Sequence, residues 1–239
     1  MATSSVLNVV ITGASRGIGL ATAEAFAGEG CRLLLSARQP AALEEAARGL
    51  QQRYPGSQVM TRAADLSDPN EAKALGDWVL TTAGTADILV NNAGLFYPGS
   101  VCSEPEGSLE SQLAVNLYSA YHLTRRLLPA MMAAGRGHIF NLCSIASLNA
   151  YPNGGAYSIS KFALYGFSKN LREEMKPHGI KVTHVLPGAA YTDSWRGSGV
   201  DPNRLMEAAD IARMILAASR LSPQACVEEI VLRPLLGDL

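Results

Sequence analysis

Three side chains suited to proton transfer lie close together in the segment NLCSIASLNAYPNGGAYSISK, residues 141–161. Ser144 ends an apolar run, Tyr157 follows thirteen positions later, and Lys161 follows four positions after that. Residues four apart share one face of a helix, so Tyr157 and Lys161 are predicted to lie one turn apart. A phenol has a reference pKa of about 10, and a nearby ammonium lowers the pKa by favouring the phenolate.

This pattern predicts a site at which Tyr157 exchanges a proton with a substrate while the Ser144 hydroxyl binds a carbonyl oxygen. A second interpretation is that a tyrosine at a helix start is there for packing. Because Y-x-x-x-K is common by chance, the motif taken alone favours packing.

The elements that would position these residues alternate along the chain. Strands are predicted at residues 6–11, 32–37, 57–64, 87–93, 138–144, 180–188 and 226–233. Helices are predicted at residues 19–30, 40–54, 69–83, 108–134, 155–177 and 208–220. Strands that are apolar on both faces and separated by helices predict an α/β, Rossmann-type doubly wound parallel sheet of about seven strands, with helices on both faces. We expect residues 1–239 to form a single dinucleotide-binding and catalytic domain, with residues 189–207 as a substrate loop.

A glycine-rich turn, TGASRGIG, follows the first predicted strand and precedes the first predicted helix. Its glycines, Gly13, Gly17 and Gly19, would let the backbone approach a pyrophosphate closely. The N-terminus of the helix would add exposed amides and a favourable dipole. The alternative is a purely structural turn.

The end of the second strand indicates which dinucleotide would bind. The sequence Ser36-Ala37-Arg38 lacks the acidic residue that usually binds a ribose 2′-hydroxyl. Arg38, together with Arg16 in the glycine turn, would suit a 2′-phosphate, so we predict NADP(H) in preference to NAD(H). The alternative is that these arginines are solvated surface charges.

Two further turns are candidate cofactor contacts. Asp65 follows the third strand and would either accept from the adenine amino group or cap its own turn. The segment Asn91-Asn92-Ala93-Gly94 ends the fourth strand. It would either let the cofactor lie close to the backbone or serve as a plain turn.

Composition narrows the function classes. Hydrophobic residues make up 48% of the 239 residues, charged residues 17%, and the net charge is −1. We therefore expect a globular protein without nucleic-acid binding. The four cysteines lack metal-site spacing, so we predict free thiols, no metal and a reducing compartment. Because the sequence shows neither a signal-like segment nor a long apolar run, we expect a cytoplasmic protein with no membrane association.

The joint set of motifs resembles the classical short-chain dehydrogenase/reductase family from about residue 6 to residue 233. The motifs are TGASRGIG, NNAG, Asn116 in AVNLYSAYHLT, Ser144, YSISK and PGAAYT. Cys143 stands where many members have a second serine. The segments PGAAYTDSW and VEEIVLRPLLGDL look more like the bacterial sepiapterin-reductase-like branch.

The resemblance implies four catalytic residues. Tyr157 would be the general acid in reduction and the general base in oxidation, and Lys161 would lower its pKa and hold the nicotinamide ribose. Ser144 would orient the carbonyl, and Asn116 would hold a water that links Lys161 to solvent.

The resemblance also implies cofactor contacts by Tyr157, Lys161 and a larger set of residues. These are Gly13, Ser15, Arg16, Gly17, Ile18, Gly19, Arg38, Asp65, Leu66, Asn92, Ala93, Gly94, Pro187, Gly188, Ala190 and Thr192.

The candidate substrate pocket is mostly apolar or aromatic, which favours a small or medium carbonyl or alcohol substrate. Its predicted residues are Phe96, Ala146, Leu148, Tyr151, Asn153, Ala190, Tyr191 and Trp195. Helices 108–134 and 155–177 each carry apolar residues on more than one face, which predicts a homodimer or homotetramer. Two alternatives are an NADP-binding sensor or scaffold on the same fold, and a methyltransferase on a related sheet.

Overall fold

A parallel sheet organises the protein. The computed structural model describes residues 6–192 and 199–238. Its strands are β1 (Asn8–Thr12), β2 (Arg32–Ala37), β3 (Gln58–Ala63), β4 (Ile88–Asn91), β5 (Gly137–Leu142), β6 (Ile180–Pro187), β7 (Ala190–Tyr191), β8 (Met206–Glu207) and β9 (Glu229–Leu232). The main sheet has the order β3-β2-β1-β4-β5-β6-β9, and every pairing in it is parallel.

Helices cover both faces of this sheet. They are α1 (Gly17–Ala27), α2 (Pro40–Arg53), α3 (Pro69–Ala83), α4 (Ser108–Leu113), α5 (Ser119–Ala134), α6 (Gly155–Met175) and α7 (Ala208–Ser219). One buried cluster joins the sheet to α1, α2 and α7, and a second joins it to α3, α5 and α6. The predicted doubly wound Rossmann-type fold is therefore confirmed.

The central strands are apolar along their whole length because both of their faces are covered. In β1, Val9 and Ile11 point into one cluster while Val10 points into the other. In β2, Leu33 and Leu34 divide between the clusters in the same way. All five side chains are fully buried. Period-two alternation combined with two-sided burial produces the continuous apolar runs of the sequence.

The strand order reverses between β1 and β4. The chain builds β2 and β3 on one side of β1, and it returns to place β4, β5, β6 and β9 on the other side. In such sheets, ligands bind beyond the carboxyl ends of the strands at the reversal point. The glycine turn follows β1, and the Asn-Asn-Ala-Gly turn follows β4, so both predicted cofactor segments lie at this position.

Two elements differ from the sequence prediction. The helix expected over residues 108–134 is interrupted by a π-helical turn, Ala114–Tyr118, which separates α4 from α5. Such turns are frequent at functional sites, and this one carries the candidate residue Asn116. The predicted loop 189–207 contains β7 and β8, which pair with each other in a small parallel sheet.

Membrane and metal features were searched over residues 6–192 and 199–238. No helix in these residues combines the length and the apolar character that crossing a bilayer requires. In the same residues, no group of three or more histidine, cysteine or acidic side chains is arranged to hold a metal ion.

Candidate active site

A cavity of about 360 Å³ opens at the carboxyl edge of the sheet. Three of the predicted catalytic residues, Ser144, Tyr157 and Lys161, line it. Seven predicted cofactor-contacting residues also line it: Ile18, Asn92, Gly94, Pro187, Gly188, Ala190 and Thr192. The fold therefore brings the end of α6 that carries the tyrosine to the same cavity as the turns that follow β4 and β6.

Ser144 and Tyr157 meet across the cavity. Ser144 follows β5 and begins a 3₁₀ turn, Ile145–Ser147, in which its hydroxyl accepts a hydrogen bond from the Ala146 N–H at 3.1 Å. The Tyr157 hydroxyl forms a side-chain hydrogen bond with Ser144. The Phe96 ring packs edge-on against the Tyr157 ring, with the centroids 4.7 Å apart. The serine and the phenol are thus positioned to share one substrate oxygen.

Lys161 lies one turn further along α6. Its side chain is buried, and its Nζ donates a hydrogen bond to the Leu142 carbonyl at 2.7 Å. The Nζ lies 5.8 Å from the centroid of the Tyr157 ring. The predicted sharing of one helix face is confirmed, and the ammonium is fixed between the tyrosine and the end of β5.

Burial controls the acidities at this site. Desolvation raises the pKa of Tyr157 to about 12, although the hydrogen bond with Ser144 acts in the opposite direction. Desolvation also lowers the pKa of Lys161 to about 8. The expected lowering of the Tyr157 pKa is therefore wrong for the protein alone, because loss of water raises the pKa more than the hydrogen bond with Ser144 lowers it. At neutral pH the phenol keeps its proton, as a proton donor requires.

Asn116 makes side-chain hydrogen bonds that the resemblance did not imply, and its role in holding a water stays a prediction. Its side chain is fully buried, and its Nδ2 donates to the Leu95 carbonyl at 3.0 Å and to Ser160 Oγ at 2.8 Å. Its Oδ1 accepts from the Leu95 N–H at 2.7 Å. The side chain therefore fixes the backbone that leads from β4 into the cavity, and it does not line the cavity itself.

The backbone of the glycine turn packs too tightly at Gly13 and Gly19 to accept a side chain at either position. A Cβ atom on Gly19 would stand 2.3 Å from the Gly13 carbonyl oxygen and 2.5 Å from Asn92 Nδ2. Gly13 itself has a φ of 64°, which favours glycine. Asn92 Nδ2 donates to the Thr12 carbonyl at 2.8 Å, so the two turns are bonded to each other.

The same turn forms a cradle for an anionic group. Helix α1 begins at Gly17, and the flanking residue Arg16 makes no side-chain capping hydrogen bond to its first amides. A Cβ on Gly17 would stand 3.2 Å from Thr192 Cγ2, so the glycine keeps the space between the helix start and the Thr192 segment open. Amides at a helix start, next to a gap that a Cβ would fill, fit the pyrophosphate of a dinucleotide. Gly13, Gly17 and Thr192 would lie along it, and the bound nicotinamide would supply hydride chemistry.

The residues predicted around the adenosine end lie beyond the cavity. Arg38 is exposed immediately after β2, and the neighbouring Ser36 hydroxyl is buried without a hydrogen-bond partner. Asp65 accepts from Ser67 Oγ at 2.7 Å and from the Ser67 N–H at 3.0 Å. These bonds, with a smaller effect of the Arg38 charge, lower the pKa of Asp65. Asp65 thus caps its own turn, while its charge remains close to Arg38.

The remaining predicted cofactor residues also lie outside the cavity. The Leu66 side chain is buried in the hydrophobic core. Ala93 follows Asn92, and its N–H donates to Thr12 Oγ1 at 3.0 Å. Ser15 and Arg16 precede α1, and Arg16 is its N-terminal flanking residue.

The substrate pocket was predicted in part. Four of its predicted residues line the cavity: Phe96, Ala146, Tyr151 and Ala190. Leu148, Asn153 and Tyr191 do not line it and are exposed. Trp195 lies outside the described residues.

Other lining residues were missed by the sequence prediction. They are Leu95, Leu142, Cys143, Ile145, Asn149, Ala189 and Asp238. Leu142, Cys143 and Ile145 flank Ser144 in the chain, so their position next to the predicted serine could have identified them as cavity residues. No local pattern in the sequence indicated Asp238, which reaches the cavity only because the segment after β9 folds back toward Gly188.

Comparison with known proteins agrees with this geometry. A family described as "short chain dehydrogenase" matches residues 7–202. The sepiapterin reductase of Chlorobaculum tepidum is 33% identical over 239 residues, which cover 97% of this chain and 97% of that protein. A nucleotide-binding sheet with serine, tyrosine and lysine gathered at its reversal point defines an oxidoreductase, and the chain belongs to the short-chain dehydrogenase/reductase family.

Solved structures carry the same fold. A metagenomic short-chain oxidoreductase in complex with NADP is 34% identical, with a TM-score of 0.84, and the match covers 95% of this chain and 96% of that chain. The L-sorbose reductase from Gluconobacter frateurii, in complex with NADPH and L-sorbose, is 30% identical, with a TM-score of 0.88 and 95% of each chain covered. Relatives on this fold thus hold NADP or NADPH.

Proposed function

We propose that this protein reduces a small or medium carbonyl compound with NADPH, with Tyr157 as the proton donor. The observation that carries the proposal is the single cavity shared by Ser144, Tyr157 and Lys161 beside the glycine turn. NADPH would supply the hydride. The Ser144 hydroxyl and the Tyr157 phenol would both hold the substrate oxygen, and the phenol would transfer its proton as negative charge develops there.

The acidities support a proposed direction for the reaction. A phenol with a pKa of about 12 is protonated at neutral pH, so this site is prepared to donate a proton rather than to accept one. Lys161 would keep positive charge next to the phenol below pH 8, which favours the phenolate that forms after transfer. Reduction is therefore the proposed direction.

The preference for NADP(H) rests on Arg38. It is exposed at the end of β2, where an acidic residue is absent, and it would pair with a ribose 2′-phosphate. The two structural relatives bound to NADP and NADPH support this choice. Arg16 would contribute a second guanidinium from the glycine turn.

The substrate class rests on the cavity lining. Phe96, Leu95, Ile145 and Ala146 give it apolar walls, and Asn149 adds a polar group. A ketone, aldehyde or quinone-like ring fits these walls. We also propose that residues 1–239 act as one catalytic domain, with residues 189–207 as a substrate loop.

The protein is further proposed to act as a homodimer or homotetramer in the cytoplasm. Tyr121 on α5, and Ile159 and Phe162 on α6, remain 37–44% exposed, which is a substantial apolar surface for two neighbouring helices. Sedimentation at micromolar concentration tests the assembly, and a purely monomeric species would refute it. The cysteines of the described residues are free thiols, which suits a reducing compartment. Fractionation of the native host tests the location.

The proposed activity is tested with purified wild-type protein and a carbonyl panel of diketones, pterins, quinones, steroids and acyl thioesters. NADPH consumption is followed by absorbance, and NADPH binding is measured separately by fluorescence. We expect turnover of at least one carbonyl class. Binding of NADPH without turnover of any compound would favour the alternative, an NADP-binding sensor or scaffold. Failure to bind NADPH would refute both.

A further inference from the structure

The segment between β4 and α4 has no regular secondary structure over residues 95–100, yet buried amide side chains hold its backbone. Asn116 exchanges two hydrogen bonds with the backbone of Leu95, at 2.7 and 3.0 Å. Gln112, one turn earlier, does the same with Tyr97: its Oε1 accepts from the Tyr97 N–H, and its Nε2 donates to the Tyr97 carbonyl, both at 3.3 Å. Gln112 and Asn116 are both almost completely buried.

The residue between these two clamped positions is Phe96. Its ring makes the 4.7 Å edge-on contact with Tyr157, and it lines the cavity. Because Leu95 and Tyr97 are each held through both backbone polar groups, the backbone of Phe96 has little freedom to move. Its aromatic wall is therefore fixed against the phenol that is proposed to donate the proton.

The other end of the segment is bonded to the start of α6. The Glu104 Oε2 accepts from the Ala156 N–H at 3.1 Å, although Glu104 is 52 positions away in sequence. The helix has no side-chain cap of its own and no acidic residue in its first turn. Glu104 thus supplies both the missing acceptor and a negative charge at the positive end of the helix.

Close backbone packing accompanies this cap. The Gly99 N–H donates to the Asn153 carbonyl at 3.0 Å. A Cβ on Gly155 would stand 2.4 Å from the Gly99 carbonyl oxygen and 2.7 Å from Glu104 Oε2. The two glycines therefore let the segment and the helix start touch directly.

We propose that residues 95–104 form a fixed wall whose anchors, Gln112 and Glu104, are positioning residues that hold Tyr157 in the orientation needed for proton transfer. The inference rests on the proposed function of Tyr157. Gln112 would act through Phe96, which restricts the phenol ring from the substrate side. Glu104 would act through Ala156, which precedes Tyr157 in the first helical turn, where helices otherwise fray.

The expected size of the effect follows from geometry. Displacement of a reacting group by about 1 Å can lower a rate by about 100-fold. Loss of one anchor leaves the other in place, so we expect kcat to fall by roughly 10-fold in each single variant. Since neither Gln112 nor Glu104 lines the cavity, the Kd for NADPH should change little.

The test uses Gln112→Leu and Glu104→Ala, with Glu106→Ala and Glu110→Ala, at exposed positions between the two anchors in the chain, as controls. Each variant is assayed for kcat, KM and NADPH Kd, and kcat is measured in light and heavy water. We expect lower kcat with a larger solvent isotope effect in the two anchor variants and no change in the controls. Glu104→Gln keeps an acceptor for Ala156 and should recover most of the activity.

Equal kcat and isotope effects in wild type and both anchor variants would overturn the inference while leaving the proposed reduction intact. If no panel compound is turned over by the wild type, the proposed function fails, but the wall remains testable by crystallography. A Gln112→Leu structure with Phe96 and Tyr157 still in their 4.7 Å contact would overturn it, and a displaced Phe96 would support it. Should Gln112→Leu not fold, Phe96→Leu removes the contact itself; a displaced Tyr157 ring in its structure would support the inference, and an unmoved ring would overturn it.

Discussion

Replacement of Lys161 by methionine should stabilise the protein at neutral pH while it abolishes turnover. Lys161 is buried, and its pKa falls from the ordinary 10.5 to about 8. This shift corresponds to a cost of about 3 kcal/mol for keeping the charged amine in the folded protein. Methionine has a similar length and no charge, so the cost disappears. Loss of the bond to the Leu142 carbonyl offsets about 1 kcal/mol of this gain.

The pH dependence gives the sharper test. Below pH 8 the lysine is charged in both the folded and the unfolded states, so the wild type bears the full cost. Between pH 8 and 10.5 the unfolded chain binds a proton that the folded protein lacks, so the stability of the wild type rises relative to the variant. The stability difference between the two proteins should therefore narrow by up to about 3 kcal/mol as the pH rises through this window.

The assay is urea unfolding of both proteins at pH 7 and at pH 9.5, under conditions of reversible unfolding. Lys169→Met, on the exposed side of the same helix, is the matched control. If the difference in free energy of unfolding between the wild type and Lys161→Met stays constant with pH, then the Lys161 pKa is not depressed and its burial carries no such cost.

Three further predictions follow from the site. Arg38→Asp should shift the ratio of kcat/KM values from NADPH toward NADH by more than 10-fold, because a carboxylate repels the 2′-phosphate and accepts from a 2′-hydroxyl; an unchanged ratio counts against the assignment. Gly19→Ala should abolish NADPH binding in a fluorescence titration, because its Cβ would stand 2.3 Å from a backbone oxygen. Gly56→Ala, where a Cβ meets nothing within 4 Å, is the control, and equal affinity in both variants contradicts the prediction. Ser144→Ala should lower kcat by roughly 100-fold with the NADPH Kd preserved, and a kcat near that of the wild type would exclude Ser144 from orienting the carbonyl.

The fold was predictable because its signals are local. The helix predicted from residue 69 illustrates this: Asp68 caps it by accepting from the Asn70 N–H, and Pro69 occupies the first position. Two-sided burial made the central strands uniformly apolar, so their existence and parallel arrangement could be read from composition. The π-helical turn at Ala114–Tyr118 had no such signal, because it keeps the hydrophobic pattern of an ordinary helix and differs only in its hydrogen bonds.

The burial of polar residues in the strands could not be predicted from the hydrophobic pattern of the sequence either. Asn141 lies in β5 with no exposed surface, and its amide bonds to Asn91 at 2.8 Å and to Ser168 at 2.7 Å. Ser168 in turn bonds to His184 Nδ1 at 2.6 Å. A sequence shows one polar residue in an apolar run, but the partners that make its burial tolerable come from other strands and from α6.

The candidate site likewise has some features that could be predicted from the sequence and others that could not. The positions of Ser144, Tyr157 and Lys161 follow from one loop and one helical turn, so spacing was sufficient to place them. The pKa values of these groups could not be predicted from the sequence, because the pKa of Tyr157 depends on how far the fold removes water from the phenol. The anchoring roles of Gln112 and Glu104 could not be predicted either, because their hydrogen-bond partners lie 15 and 52 positions away in the sequence.

The most direct test of the central claim is the rate of NADPH oxidation by Tyr157→Phe, measured with a carbonyl substrate identified from the panel. Tyr165→Phe, two turns further along the same helix, is the control. We expect Tyr157→Phe to bind NADPH as the wild type does but to reduce the carbonyl at least about 100-fold more slowly, while Tyr165→Phe keeps its activity. A Tyr157→Phe variant that reduces the carbonyl at the wild-type rate would contradict the proposed role of Tyr157 as the proton donor.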